Sequence, residues 1–241
     1  MKKVNEFWVP DVDMGILRRF GKNRRKTIRY YSEGGPKLDD LIEVLDMLPR
    51  GGVAVDGGAN VGAYARKLAE HFDKVLAFEP ARDTFEALQR NIEDWGLAER
   101  VVTFNAALTD SNRMVGMKLN WGRRSLSRRV EGSGNIQGVS LDSMDAGDIA
   151  FLKLDVEGSE YEALVGARET LLRCRPPVLF EDKPGKRDLN DTERDPHRYL
   201  LSLGAESHGA FGRGKFDYLY TFPGAFPENA AEGEPESTEP A

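Results

Sequence analysis

Two acidic residues follow two short apolar runs at a spacing that suits the binding of a nucleoside. Asp56 ends the first run and is followed by a glycine-containing turn, and Glu79 ends the second. Apolar residues at helical spacing lie between the two runs. Residues 51–80 therefore predict a strand, a turn, a helix and a second strand, which together form half of a nucleotide-binding unit.

The residues of the turn predict the kind of ligand. A dinucleotide fingerprint has glycines spaced G-x-G-x-x-G for a pyrophosphate, but here Gly58 and Gly62 enclose Asn60, and Asp56 precedes the turn. A carboxylate there repels a pyrophosphate and favours a ligand with a cationic group. S-adenosylmethionine has an ammonium, a sulfonium and two ribose hydroxyls from which Glu79 can accept hydrogen bonds. The alternative is a related unit whose glycines only form a tight turn.

A second acidic group follows the predicted fourth and fifth strands. The fourth strand carries Lys153 in an apolar run and leads into Asp155, and the fifth is followed by Glu181 and Asp182. Because an unpaired buried charge is costly, Lys153 needs a carboxylate partner. The three carboxylates either position a divalent cation, supply a general base for a hydroxyl, or neutralise Lys153 and Lys183.

The elements that position these residues alternate between strand and helix. Predicted strands lie at 53–55, 75–78, 101–107, 149–158, 178–180 and 216–222, and predicted helices include 37–48 and 196–203. Such alternation with short connections predicts an α/β fold with a doubly wound, mostly parallel sheet and ligands at the carboxyl ends of the strands. Asn105 and Ala106 would then border the adenine, or Asn105 caps a turn. Ser159 and Glu162 have the spacing of a capping box.

Three segments depart from this alternation. Residues 1–36 are expected to form a basic and aromatic arm, 37–222 the main domain and 223–241 a disordered acidic tail rich in Pro and Glu. The arm has an apolar patch at 7–10 and basic residues at 18–29, so it either holds an anionic acceptor or docks on the core. A β insertion after the third strand carries arginines that either grip an anionic acceptor or are exposed loop charges: Arg123, Arg124, Arg128 and Arg129.

Composition restricts the class of protein. The 241 residues can bury one sizeable core, and a formal net charge of -6 argues against wholesale nucleic-acid binding. Cys174 is the only cysteine, so no internal disulfide can form and a reducing cytoplasm is expected. No apolar run is long enough to span a bilayer.

Several motifs, taken in order along the chain, resemble those of the FkbM-type methyltransferases. They are VDGGANVG at 55–62, FEP at 78–80, LD at 141–142, KLDVEGSE at 153–160 and RPPVLFE at 175–181. The resemblance covers about residues 52–182 and implies a seven-stranded class I methyltransferase sheet with S-adenosylmethionine as the donor. It also implies an acceptor oxygen on a sugar, lipid or polyketide-like hydroxyl. The arm, the insertion and the tail lie outside it, and acceptor choice is expected to reside there.

The resemblance implies roles for individual residues. The implied donor contacts are Asp56, Gly58, Asn60 and Gly62 at the methionine end, Glu79 at the ribose, and Asp155 and Glu157 beside the transferred methyl group. Asp155 is the first candidate for the base that deprotonates the acceptor, assisted by Lys153 or by a divalent cation. Glu181, His197 and His208 follow as candidates.

Two other functions fit parts of the sequence. One is a methyltransferase that acts on a nucleic acid or another polyanion through the arginines of the arm and the insertion. The fourth strand, however, ends in Asp-Val-Glu-Gly and not in the Asn/Asp-Pro-Pro-aromatic run with which amino-methylating enzymes hold a flat base. The other is a non-catalytic subunit that binds the donor. The sequence leaves the acceptor, the metal requirement and the oligomeric state open.

Overall fold

The computed structural model describes residues 1–4, 6–11, 36–119, 128–130, 132–183, 193–211 and 216–224. Its strands are β1 Lys2–Val4, β2 Phe7–Val9, β3 Val53–Gly57, β4 Lys74–Phe78, β5 Val101–Phe104, β6 Ala107–Leu108, β7 Arg113–Val115, β8 Met117–Leu119, β9 Arg128–Val130, β10 Ile136–Val139, β11 Ile149–Leu154, β12 Val178–Glu181, β13 Glu206–Phe211 and β14 Asp217–Thr221. Its helices are α1 Pro36–Asp46, α2 Ala63–Ala69, α3 Arg82–Asp94, α4 Glu160–Val165, α5 Arg168–Cys174 and α6 Pro196–Ser202.

Seven strands form the central sheet in the order β13-β14-β12-β11-β3-β4-β5. The five strands from β12 to β5 are parallel, and β14 is antiparallel to both of its neighbours. This confirms the prediction of a doubly wound, mostly parallel seven-stranded α/β sheet. The carboxyl ends of the five parallel strands lie along one side of the sheet, called here the carboxyl edge.

Apolar side chains cover both faces of this sheet, which is why its parallel strands read as continuous apolar runs. Phe78, Leu154 and Phe180 belong to a cluster on one face with residues of α4 and α5. Phe72 and Phe151 stack on the other face, at 5.6 Å between ring centroids, among residues of α1, α2 and α3. The strand ends that carry the polar residues are therefore held by a core on both sides.

The predicted β insertion is present after β5. β6, β10 and β7 form a three-stranded sheet, and β8 pairs with β9 in an antiparallel hairpin. Arg123 and Arg124 lie outside the described residues, while Arg128 and Arg129 are on β9. The role predicted for these arginines therefore stays a prediction.

Three local predictions were wrong. The helix expected after the fourth strand is divided into α4 and α5 at Gly166, where an added Cβ would lie 1.9 Å from the carbonyl oxygen of Thr109. Ser159 precedes α4 but makes no capping hydrogen bond with its side chain, so the capping box is not formed. No strand was predicted between the helix at 196–203 and the strand at 216–222, but β13 lies there, and its first four residues are exposed and lack an apolar pattern.

The described start of the N-terminal arm docks on the core. β1 and β2 form a hairpin, and Phe7 and Val9 are buried. The basic residues at 18–29 and the tail from 225 onward lie outside the described residues. In the part of the chain that the structure covers, no helix combines the length and the apolar character needed to cross a membrane.

Candidate active site

The turn that joins β3 to α2, residues 58–62, lies at the carboxyl edge and is called here the glycine turn. The backbone N–H groups of Gly58 and Ala59 donate to the carbonyl oxygen of Phe78 at 3.0 and 2.9 Å. Gly58 has a φ of 77°, and an added Cβ would lie 2.1 Å from the carbonyl oxygen of Asp155. Only glycine fits there, and the close approach brings the ends of β3, β4 and β11 together.

Glu79 follows β4 and reaches back to the glycine turn. Its Oε2 accepts from the backbone N–H of Asn60 at 3.0 Å, and its Oε1 accepts from that of Ala81 at 2.8 Å. Asn60 has a φ of 52°, and its Oδ1 accepts from the N–H of Val61 at 2.7 Å. The carboxylate is thus fixed in orientation beside the turn, where a ribose was expected.

Asp56 and Lys153 form a buried ion pair beneath the glycine turn. They lie opposite each other on β3 and β11, with Lys153 Nζ 3.0 Å from Asp56 Oδ1. The ring centroid of Tyr64 lies 4.3 Å from the same Nζ. Neither oxygen of Asp56 has a hydrogen-bond partner of strict geometry among the described residues, but the ammonium of Lys153 and the backbone N–H of Ala65 are both close enough to favour the charged carboxylate.

Burial raises the pKa of Asp56, and the ammonium of Lys153 opposes that rise. The predicted need of Lys153 for a carboxylate is confirmed, with Asp56 as the partner in place of the carboxylates after the fourth and fifth strands. Lys153 is 4% exposed, and this position favours a structural role over direct assistance to a base. Contact between Asp56 and the donor's ammonium stays a prediction.

The chain from Asp155 to Gly158 forms a tight turn at the carboxyl edge. The N–H of Asp155 donates to the last residue of β3 at 2.9 Å, and Glu157 has a φ of 58°. Asn60 and Glu157 are two of the three non-glycine residues with positive φ that the structure describes. Such strain clusters at functional sites. Asp155 and Glu157 are partly exposed, so the edge presents two carboxylates next to the glycine turn.

Asn105 ties the end of β5 to the end of β4. Its Nδ2 donates to the carbonyl oxygens of Glu79 at 2.9 Å and Pro80 at 3.2 Å. The geometry matches the alternative in which Asn105 holds a turn. Ala106 is buried, and contact of either residue with the adenine stays a prediction.

The carboxylates after the fourth and fifth strands bind different partners. Glu181 is buried and pairs with Lys183, whereas Asp182 Oδ2 lies 3.1 Å from His197 Nε2. Consecutive side chains of an extended segment point to opposite faces, so Glu181 and Asp182 point away from each other. Within the described ranges, no group of three or more His, Cys, Asp or Glu side chains could hold a metal ion. The structure therefore does not assemble the three-carboxylate cation site.

His197 has partners that sequence reasoning missed. Its Nδ1 lies 2.8 Å from the hydroxyl of Tyr220, its Nε2 contacts Asp182, and its ring packs against Phe180 and Tyr218 at 4.9 and 4.6 Å between centroids. Burial raises the pKa of Tyr220, so its hydroxyl keeps its proton and can donate to Nδ1. The N–H at Nε2 then donates to Asp182. Alternation places Phe180 and Asp182 on one face of the chain. Their contacts with His197 depend on how α6 docks, and no local pattern in the sequence indicates that docking.

His208, the other candidate base, lies away from this chain of contacts. Its Nε2 is 2.5 Å from the hydroxyl oxygen of Thr221, which is on β14. His208 is exposed on β13, at the end of the sheet order. The structure therefore separates the two histidines that the sequence could not distinguish.

The carboxyl edge fits an adenosyl donor in its shape and its charge. Gly58 leaves no side chain where the backbone of Asp155 approaches, and Glu79 offers a fixed carboxylate for a ribose diol. Asp155 and Glu157 are partly exposed, and their charges suit a ligand with a sulfonium and an ammonium. A mostly parallel seven-stranded sheet with these groups at its carboxyl edge defines a class I methyltransferase.

The family follows from a comparison with family models. The model of the methyltransferase FkbM domain matches residues 56–209. The chain therefore belongs to the FkbM methyltransferase family, whose methyl donor is S-adenosylmethionine. No curated protein matches the sequence.

Two solved structures have similar folds. The methyltransferase FkbM of Methylobacillus flagellatus KT is 18% identical with a TM-score of 0.50, and the match covers 88% of this chain and 59% of that one. A candidate methyltransferase of Streptococcus mutans, in complex with SAH, is 11% identical with a TM-score of 0.51, and the match covers 77% and 96% of the two chains. At these identities the likeness shows the fold alone. The chain thus spans little more than half of the Methylobacillus protein.

Proposed function

We propose that this protein methylates a hydroxyl oxygen of a sugar, a lipid or another small acceptor. The observation that carries the proposal is the pair of partly exposed carboxylates, Asp155 and the His197-bound Asp182, at the carboxyl edge that also bears the glycine turn. A hydroxyl must lose a proton as it is methylated, and a carboxylate can accept that proton.

The donor side of the proposed reaction uses the glycine turn and Glu79. When bound, S-adenosylmethionine supplies a methyl group on a positively charged sulfur. Glu79 would accept hydrogen bonds from the ribose hydroxyls. Gly58 has no side chain, so the donor could approach the backbone of the turn closely. Asp155 and Glu157 favour the positive charge by their own negative charges.

On the acceptor side, alignment supplies much of the acceleration, since the acceptor oxygen must lie in line with the methyl group. Asp155 would accept the proton of the hydroxyl as the oxygen–carbon bond forms and the sulfur–carbon bond breaks, with S-adenosylhomocysteine as the leaving group. Lys153 and Glu181, the other catalytic candidates from the sequence, are buried and paired with Asp56 and Lys183. We therefore assign Lys153 and Glu181 a structural role, which is to hold the site in place.

Replacement of Asp155 tests the role of the base. Asp155→Asn keeps the shape of the side chain but removes its basicity, so we expect turnover to fall by about 10²–10⁴-fold. Donor affinity, measured by calorimetry, should stay within severalfold. Asp110→Asn is the matched control, because Asp110 is an exposed acid of the insertion that pairs with Arg113. Full activity of Asp155→Asn would remove Asp155 as the base.

The acceptor class can be tested by following the methyl group. The protein is incubated with radiolabelled S-adenosylmethionine and fractionated cell extract, and the labelled product is treated with mild alkali. Methyl ethers survive this treatment, whereas methyl esters release methanol. Alkali-stable label in a sugar or lipid fraction supports the proposal. Label that enters nucleic acid, with binding that weakens steeply as salt is added, would favour a polyanionic acceptor.

A further inference from the structure

A small hydrophobic cluster joins the N-terminal hairpin to the glycine turn. Phe7 and Val9 of β2 pack with Val61 of the turn and Ala87 of α3, separately from the two clusters on the central sheet. All four side chains are at most 3% exposed. The ring of Trp95 meets that of Phe7 edge-on, at 5.0 Å between centroids. One side of the turn therefore rests on the hairpin.

Asn91 of α3 adds a polar link between the same two elements. Its Nδ2 donates to the carbonyl oxygens of Val61 at 2.8 Å and Trp8 at 2.9 Å, and its Oδ1 accepts from the N–H of Trp8 at 2.6 Å. The side chain is fully buried. A buried polar group without a partner is costly. Undocking of the hairpin is therefore unfavourable, because the side chain of Asn91 would lose its hydrogen bonds with the backbone of Trp8.

A third link reaches the first helix after the turn. Glu6, between the two hairpin strands, pairs with Arg66 of α2 at 2.5 Å. The indole N–H of Trp95 donates to the carbonyl oxygen of Glu6 at 3.3 Å, and the guanidinium of Arg66 lies 4.9 Å from the ring centroid of Trp95. The hairpin is thus attached both to the turn and to α2.

The glycine turn needs such support at Asn60, a non-glycine residue whose φ of 52° lies in the left-handed region. Backbone in this region persists only where the surroundings hold it. An added Cβ at Gly62 would lie 2.8 Å from Leu88 and 3.3 Å from Trp95. The turn is therefore packed tightly against α3 and against Trp95, the residue that follows α3.

We propose that the N-terminal hairpin is a working part of the donor site and that Asn91 is the positioning residue that transmits its docking to the glycine turn. A docked hairpin holds the turn in the shape that accepts the donor. The inference rests on the proposed assignment of the glycine turn to donor binding.

The first test uses the unmodified full chain. Coupling between two sites is reciprocal, so a donor that prefers the docked hairpin must stabilise that docking. Hydrogen exchange is measured with and without saturating S-adenosylhomocysteine. We expect slower exchange of the β2 amides on binding, although the hairpin lies outside the proposed donor contacts. Unchanged exchange of these amides in a chain that demonstrably binds the ligand would overturn the inference.

The second test compares Asn91→Leu with Glu93→Gln. Leu keeps the approximate volume of Asn91 but removes all three hydrogen bonds, so we expect calorimetric affinity for S-adenosylhomocysteine to fall about tenfold, within the roughly 5–150-fold range of such couplings. Glu93 is an exposed residue of the same helix, α3, and its replacement should change affinity less than about twofold.

The outcomes separate the inference from the proposed function. A folded Asn91→Leu chain with normal affinity overturns the inference. If Asn91→Leu does not fold, the exchange experiment on the unmodified chain decides. If the unmodified chain binds the donor but Glu79→Ala binds it equally well, the assignment of the donor site fails, and with it the basis of this inference.

Discussion

At the scale of single residues, the buried pair of Asp56 and Lys153 is the main electrostatic feature of the site. Burial raises the pKa of Asp56, the charge of Lys153 opposes the rise, and Asp155 adds to it. Lys153→Met should cost about 3–5 kcal/mol in the free energy of unfolding at neutral pH, because it leaves a charge buried without its partner.

The sign of the pH dependence follows from the raised pKa. In Lys153→Met the folded chain should hold a proton on Asp56 more tightly than the unfolded chain, so its stability should fall as pH rises through the folded-state pKa. The loss in free energy of unfolding relative to the unmodified protein should therefore be smaller at acidic than at neutral pH. Urea unfolding at acidic and at neutral pH measures this loss, and an equal loss at the two pH values would contradict a buried, uncompensated carboxylate.

Also at the residue scale, His197 holds Asp182 at the carboxyl edge. His197→Gln should lower turnover while leaving donor affinity unchanged, because Asp182 would lose its orientation beside the proposed acceptor. We expect a loss of about tenfold or more if Asp182 contacts the acceptor. His208→Gln is the matched control, since His208 lies on the exposed strand β13 and contacts Thr221 of β14. Equal effects of the two substitutions would contradict a role specific to His197.

At the scale of elements, a motif of the family has a structural explanation. Asp142 accepts from the backbone N–H groups of Glu169 and Thr170, both at 2.9 Å, and so caps the start of α5. The sequence signature therefore contains residues that build the edge, such as Asp142, beside residues that are proposed to bind the donor. Glu79 holds the glycine turn and is proposed to bind the donor as well.

The strands and most helices could be predicted from the sequence because their patterns are local. Parallel strands covered on both faces are continuous apolar runs, and α3 ends just before Gly96, whose φ of 68° suits the end of a helix. β13 was missed because an exposed strand at the end of the sheet lacks that pattern. The partners of Lys153 and His197 were missed for a different reason. They depend on the register between strands and on helix docking, which no spacing in the sequence encodes.

At the scale of the whole molecule, the proposed donor site joins the ends of three strands and, through Asn91, the N-terminal hairpin. A ligand that binds only the folded chain stabilises it by an amount set by its concentration, about 2.7 kcal/mol at 100 times its dissociation constant. Two of the three tryptophans, Trp8 and Trp95, lie at the hairpin, so in a chain that carries Trp121→Phe the tryptophan fluorescence reports hairpin docking, whereas far-ultraviolet circular dichroism reports the whole fold. With S-adenosylhomocysteine, both signals should shift together to higher denaturant, and Glu79→Gln should reduce both shifts. A shift in circular dichroism without one in fluorescence would mean that the hairpin does not share in the stabilisation.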